Sequence, residues 1–246
     1  MSGLLNRTDR KVAVDIFMLM SGWLIWALSI FVGVFVLSQI LPWMDIEFNF
    51  NSLTYNFFDG ATQAAKYFML VTGIILASYV PVAYVRHGVT RKIVFKGTFF
   101  GITAVALSLS IVVQILYSLV SLIFGSDVGD TSSLSRVFHG QVLFLLLIFL
   151  FSCVIYFTIG WLISLAFSRY GFIPGMLSIA LSLAVIIAFE SLWKATIQLP
   201  WIREALMNGI RLPQLPIWAA LAGSLVLFSL LLALLQLMMR RMTIKP

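Results

Sequence analysis

The sequence predicts an all-helical protein that crosses a membrane six times. Of its 246 residues, 61% are apolar and only 10% are charged, whereas an ordinary soluble domain has about 25% charged residues. Six long stretches contain no Asp, Glu, Lys or Arg, and Lys and Arg gather on alternate connections between them. These observations exclude a soluble enzyme, a disordered chain and a disulfide scaffold, since the chain has a single cysteine, Cys153.

Each uncharged stretch is long enough, or nearly so, to cross a hydrocarbon core about 30 Å thick, which needs about 20 helical residues. The predicted spans cover approximately residues 16–41, 67–85, 97–125, 140–168, 170–189 and 215–239. We expect one transmembrane domain over residues 1–246, because the spans leave no segment large enough for a separate core. The first apolar run is too long for a signal peptide, and no small-x-small cleavage site follows it.

Lys and Arg are unequally divided between the two sides of the predicted topology. With the N-terminus in the cytoplasm, that side carries eleven Lys and Arg residues, and the other side carries five, including Lys66 in the outer loop 42–66. Counting the acidic residues gives net charges of +9 and −2. The positive-inside rule therefore predicts a multi-pass protein of a bacterial cell membrane with both termini cytoplasmic. The net charge of +7 reflects this topology and attraction to the lipid bilayer, so we expect no nucleic-acid partner.

The loop 86–96, between the second and third spans, is the most distinctive segment of the chain. It reads Arg86-His87-Gly88-Val89-Thr90-Arg91-Lys92-Ile93-Val94-Phe95-Lys96. We expect a helix to begin after Gly88, with Thr90 near its start. We also expect Val89, Ile93 and Phe95 to be exposed beside the four cations. The loop is either a solvated positive-inside connection or a docking element for a cytoplasmic partner.

A second segment, residues 200–211, predicts an amphipathic helix before the last span. Pro200 suits a first helical turn. The apolar residues that follow share one helical face, and Arg203, Glu204 and Arg211 lie on the other. We expect this helix to lie at the outer leaflet.

Few residues in the spans are candidates for a substrate site. Glu190, at the outer end of the fifth span, is the ionisable residue nearest a span interior, and such residues are functional hypotheses by default. It either forms a local pair with Lys194, one turn later, or contacts a substrate. Gln114 in the third span either joins helices by hydrogen bonds or lines a substrate path. Gly97 and Gly101 have the spacing that lets two helices approach closely.

Catalytic and metal-binding motifs are absent from the sequence. There is no G-x-x-x-x-G-K-[ST] loop and no H-E-x-x-H pair, and His87 and His139 fall at opposite faces of the membrane. We therefore expect no enzymatic activity, no cofactor and no metal site in this chain. Any ATP hydrolysis would come from another protein.

The run from Gly88 to Gly97 resembles the Gly-(Val/Ile)-(Ser/Thr)-Arg-(Lys/Arg) segment between the second and third spans of small Gram-positive permeases of the type-2 ABC-transporter family. The six spans, the cytoplasmic termini and the helix 200–211 also look like that family. The resemblance implies a type-2 ABC exporter permease fold and export of a hydrophobic or amphipathic substrate, such as an antimicrobial or toxin peptide. The permease would pair with a second copy or a sister permease, and residues 1–15 would form an interfacial segment.

The resemblance also implies that the loop docks a separate ATPase subunit, which binds the ATP and Mg²⁺. The residues that would contact it are Arg86, His87, Gly88, Val89, Thr90, Arg91, Lys92 and Phe95. Two other classes stay open from the residues alone: a six-span substrate-capture subunit of an importer, and a non-transporting immunity or sensory membrane protein. An importer subunit is expected to show a polar pocket near its outer face.

Overall fold

A computed structural model describes residues 7–40, 57–124, 142–193 and 217–240. Within these ranges the chain forms six helices and no strand. They are α1 (Arg7–Ile40), α2 (Phe57–Arg86), α3 (Arg91–Phe124), α4 (Val142–Tyr170), α5 (Phe172–Leu192) and α6 (Ile217–Arg240). All six are long and apolar enough to cross a membrane, which confirms the predicted all-helical, six-span class. The predicted helix 200–211 lies outside the described residues.

α4 forms the centre of the bundle. In its apolar span 72% of the residues are buried, compared with 17% in the span of α1 and 22% in those of α5 and α6. α4 packs against α2, α3, α5 and α6, as expected for a helix that is hydrophobic on every side. The outward apolar faces of α1, α5 and α6 are therefore available to the surrounding membrane.

The helices are arranged so that the two ends of the bundle differ in character. At one end, Tyr84 near the end of α2 donates a hydrogen bond of 3.2 Å to Asp15 near the start of α1. At the other, the ring of Phe58 lies 5.7 Å from that of Tyr117 and 6.3 Å from that of Phe149. We call the end with Asp15 and Tyr84 the basic end, and the end with Phe58, Tyr117 and Phe149 the aromatic end. The cations at the basic end include Arg10, Lys11, Arg86, Arg91, Lys92, Lys96 and Arg169.

Gly97 and Gly101 bring α3 close to α1, as their spacing predicts. A Cβ atom added to Gly97 would lie 2.7 Å from the Cβ of Val12, and one added to Gly101 would lie 2.8 Å from the carbonyl oxygen of Ala13. Neither distance is tolerable for a carbon atom, so only glycine permits this approach. Val12, in the predicted interfacial segment 1–15, is consequently buried inside the bundle.

α2 and α4 contact each other through a glycine on each helix. A Cβ atom on Gly73 would overlap the carbonyl oxygen of Phe157, and one on Gly160 would overlap the carbonyl oxygen of Leu70. In both contacts the obstacle is backbone, which cannot rotate away as a side chain can. The two helices are therefore held at backbone contact in the middle of the bundle.

We expect Gly160→Ala to lower the free energy of unfolding by about 1–3 kcal/mol, the usual cost of overpacking a close contact. Gly33→Ala is the matched control, because a Cβ atom there meets nothing within 4 Å and alanine has the higher helix propensity. Thermal unfolding of the purified variants in detergent measures the difference. Equal transition temperatures for the two variants would contradict the close contact.

Candidate functional site

A buried ion pair joins α2 to α5. The Nζ atom of Lys66 lies 2.5 Å from Oε1 of Glu190, and the two side chains are only 5% and 6% exposed. Lys66 is in the third turn of α2, and Glu190 is in the last turn of α5. Ionisable groups at such positions in a membrane protein are rare because an unpaired charge there costs several kcal/mol.

Tyr156 on α4 completes the site. Its hydroxyl group donates a hydrogen bond of 3.0 Å to the same oxygen of Glu190. The Nζ atom of Lys66 also lies 5.6 Å from the centroid of the Tyr156 ring, within the range of a cation–π interaction. Three helices therefore contribute one side chain each, and the carboxylate receives two hydrogen bonds strengthened by its charge.

The surroundings of Glu190 explain why it needs both partners. Glu190 is itself buried, as are Phe189 and Trp193, its neighbours in the sequence, so water cannot solvate the carboxylate as it would at a surface. In addition, the C-terminal end of a helix carries a negative partial charge, which disfavours an anion in the last turn. Lys66 offsets both effects.

The sequence predicts only part of this site. Glu190 is identified, but its partner is Lys66 on another helix, and Lys194 lies outside the described residues. Lys66 is not in an outer loop, because α2 begins at Phe57. The signal that would have placed it in the helix is the alanine-rich stretch 60–65 before it, since alanine is the strongest helix former.

Two further residues show the limits of the sequence pattern. Tyr156 is one of seven tyrosines and lies within an apolar span, so nothing in its neighbourhood marks it as a hydrogen-bond donor to a carboxylate. Gln114 is half-buried on α3. This helix is not one of the three that contribute Lys66, Tyr156 and Glu190 to the site. Its place on a substrate path stays a prediction.

The predicted partner-binding loop forms a tight turn between α2 and α3. Gly88 has a φ of 78°, in the left-handed region that favours glycine. The Val89 N–H donates to the Tyr84 carbonyl at 3.0 Å, and the Gly88 N–H donates to the Val85 carbonyl at 3.0 Å. This pair of hydrogen bonds is a Schellman motif, which ends α2 and satisfies its last carbonyl groups.

α3 begins directly after this turn. The Thr90 carbonyl accepts hydrogen bonds from the Ile93 and Val94 N–H groups at 2.9 and 3.1 Å. The helix therefore starts at Arg91, as expected from the position of Gly88. Most of the polar side chains in the segment are exposed, and Arg91 is half-buried. The exposed polar residues are Arg86, His87, Thr90, Lys92 and Lys96.

The apolar side chains of the turn face the bundle, so the expectation that they are exposed is wrong. Val89, Ile93 and Phe95 are partly buried and pack against the core. The ring centroid of Phe95 lies 5.6 Å from that of Trp161 on α4. The cause is that α3 enters the bundle within its first turns, where its apolar face is covered by neighbouring helices.

A separate, small apolar groove lies between α1, α2 and α3, with a cavity volume of about 30 Å³. Its α2 wall is formed by the turns that follow Phe58, so the groove is near the aromatic end. Every lining residue is apolar, and four are alanines, which leave space between the helices. The lining residues are Leu24, Ala27, Leu28, Phe31, Ala61, Ala64, Ala65, Phe68 and Leu109.

Comparison of the chain with protein-family models, curated proteins and solved structures finds no match. Within the part of the chain that the structure describes, no group of three or more His, Cys, Asp or Glu side chains could hold a metal ion.

We expect Lys66→Met alone to lower the free energy of unfolding by about 3–5 kcal/mol, because it leaves the Glu190 charge buried without its partner. The double variant Lys66→Met/Glu190→Gln is expected to be far closer to the wild type, since it removes both charges. The free energies of unfolding in mixed micelles complete this double-mutant cycle.

Lys92→Met is the matched control for the loss of one positive charge. Lys92 is exposed, so its neutralisation is expected to change stability by less than about 0.5 kcal/mol. Equal effects of Lys66→Met and Lys92→Met would contradict a buried ion pair.

Proposed function

We propose that this chain is the membrane-spanning permease subunit of an ATP-binding-cassette exporter. It would move a hydrophobic or amphipathic substrate, such as an antimicrobial or toxin peptide, out of the cell by alternating access. ATP and Mg²⁺ would bind to a separate ATPase subunit. The observation that carries this proposal is the turn between α2 and α3, which exposes cations on one side and is anchored in the bundle on the other.

The turn has the construction that a coupling element needs. The Schellman hydrogen bonds at Gly88 and the helix start at Thr90 join α2 to α3 without a flexible linker. Phe95 then contacts Trp161 on α4. A partner that pushes on the turn would therefore displace packed helices as units instead of bending a loop, and such rigid-body shifts are a common mode of switching.

Charge supports the orientation and the kind of partner. The basic end would face the cytoplasm of a bacterial cell, with both termini on that side. Exposed Arg86, Lys92 and Lys96 at or next to the turn would attract an acidic surface on the ATPase and orient it during encounter.

The nature of the cargo is supported by the groove between α1, α2 and α3. Its cavity is too small to enclose a peptide, but its lining side chains are all apolar, which suits contact with the hydrocarbon-like part of a cargo and not with an ion. The outward faces of α1 and α5, which are mostly unburied, offer surface for a second permease copy, either of this chain or of a sister permease. A role for Gln114, Glu190 and Lys194 on the substrate path is part of the same proposal.

We expect Lys92→Glu to reduce co-purification of an ATPase subunit from native membranes by roughly tenfold, because reversing a charge at a complementary interface costs more than a kilocalorie. The ATPase is recognised by its phosphate-binding loop in mass spectrometry and by its activity. Phe95→Ala is not an equivalent test, since it would also remove the ring contact with Trp161.

Arg10→Glu is the matched control, because Arg10 is exposed at the same end but lies on α1. Retention of the ATPase by Arg10→Glu and its loss in Lys92→Glu would support docking at the turn. Equal retention in both variants, or the absence of any stoichiometric ATPase, would contradict the proposed function. Equal loss of the ATPase in both variants would indicate that it is attracted to the basic end as a whole and does not dock at the turn.

The direction of transport has its own test. In inside-out vesicles that contain the permease and its ATPase, we expect ATP-dependent uptake of a fluorescent amphipathic peptide. Uptake that occurs only into right-side-out vesicles would indicate an importer instead. The negative control is the same vesicle preparation without ATP.

A further inference from the structure

α5 is attached to the bundle mainly through small residues along its length and through large side chains near its last turn. It packs against α4 and α6, and only 22% of its span is buried. Seven of its large apolar side chains are exposed: Phe172, Ile173, Met176, Leu177, Ile179, Leu181 and Leu183. Burial of its large side chains is concentrated near its last turn, where Phe189 and Glu190 lie.

α2 and α4, by contrast, form a block that is held at several points. Gly73 and Gly160 place the two backbones in contact. One turn or so farther toward the basic end, the hydroxyl groups of Ser78 and Ser164 share a hydrogen bond of 2.8 Å. Because these contacts involve backbone and short side chains, they leave little freedom for α2 to slide along α4.

The ion pair connects α5 to this block. Lys66 extends from α2 past the ring of Tyr156 on α4 and reaches Glu190 on α5. Immediately after α5, the Trp193 indole N–H donates a hydrogen bond of 2.8 Å to the hydroxyl oxygen of Ser224 on α6. The last turn of α5 is therefore bonded on one side to the α2–α4 block and on the other to α6.

We propose that the Lys66–Glu190 ion pair, together with Tyr156, is a latch that holds the end of α5 against the α2–α4 block and opens when α5 moves away. Two properties of the site permit opening. A buried ion pair gains little net free energy over a neutral pair, because desolvation nearly cancels the attraction. Glu190 also lies only two residues before the end of α5, so water at the membrane surface can solvate the separated charges.

Cys153 provides a native probe of the latch. It is the only cysteine in the chain, it is 1% exposed, and it lies one turn before Tyr156 on α4. If α5 separates from the block, we expect a small reagent to reach the part of α4 next to Tyr156, including this thiol.

The experiment is the rate of modification of Cys153 by N-ethylmaleimide, followed by intact mass, with the protein in lipid nanodiscs. We expect Tyr156→Phe, which removes one hydrogen bond to the carboxylate, to raise the rate about tenfold, since such a bond to a charged group is worth that factor or more in an opening equilibrium. Lys66→Met alone, which leaves the Glu190 charge without its cation in the closed state, is expected to raise it at least a hundredfold.

Ser78→Ala/Ser164→Ala is the matched control, because it removes a different hydrogen bond between helices and leaves the latch intact. Its rate is expected to stay within about twofold of the wild type. Cys153→Ser measures background modification. If Tyr156→Phe folds and its Cys153 is as protected as in the wild type, the latch is overturned, even where Lys66→Met fails to fold. The same holds if the serine control raises the rate as much as Tyr156→Phe does.

The assay needs no ATPase and no substrate. A failed co-purification would therefore contradict the proposed function and leave the latch standing. Unchanged protection of Cys153 would overturn the latch and leave the proposed function standing.

Discussion

A charged carboxylate that is buried in a membrane helix bundle must find a cation, and in this protein that requirement determines how three helices meet. Glu190 lies in the last turn of α5, where both the apolar surroundings and the helix dipole disfavour a negative charge. Lys66 and Tyr156 bond to the same carboxylate oxygen. α2, α4 and α5 must therefore keep a fixed relation at the aromatic end, or leave a charge without a partner.

The close contact between α2 and α4 makes this arrangement possible. With glycine at positions 73 and 160, the two backbones touch, and Tyr156 on α4 reaches the same carboxylate oxygen as Lys66 on α2. The same α2 helix ends at Arg86, twenty residues beyond Lys66 and about 30 Å away along its axis. One continuous helix thus joins the ion pair at the aromatic end to the turn at the basic end.

Much of this architecture is predictable from local sequence, and the remainder depends on contacts between distant residues. Hydropathy predicts six spans because a chain in lipid must satisfy its backbone hydrogen bonds within each helix. Gly88 predicts the turn because a glycine in the left-handed conformation commonly follows the end of a helix. Lys66 is not predicted to lie in a span because its own charge ends the apolar run. Its pairing with Glu190 is not predicted either, because the two residues are 124 positions apart in the chain. Phe95 looks exposed beside its cationic neighbours, and only the packing of α3 on α4 shows that it faces inward. Neither the Lys66–Glu190 ion pair nor the Phe95–Trp161 contact produces a periodic pattern in the sequence.

The central claim is that Glu190 is ionised and paired with Lys66 inside the bundle. Infrared difference spectroscopy of the wild type against Lys66→Met/Glu190→Gln in lipid tests it directly, because both proteins lack an unpaired buried charge. We expect the wild type to show the absorption of one more ionised carboxylate than Lys66→Met/Glu190→Gln does. An additional carbonyl stretch of a protonated carboxyl group, lost in the double variant, would contradict it.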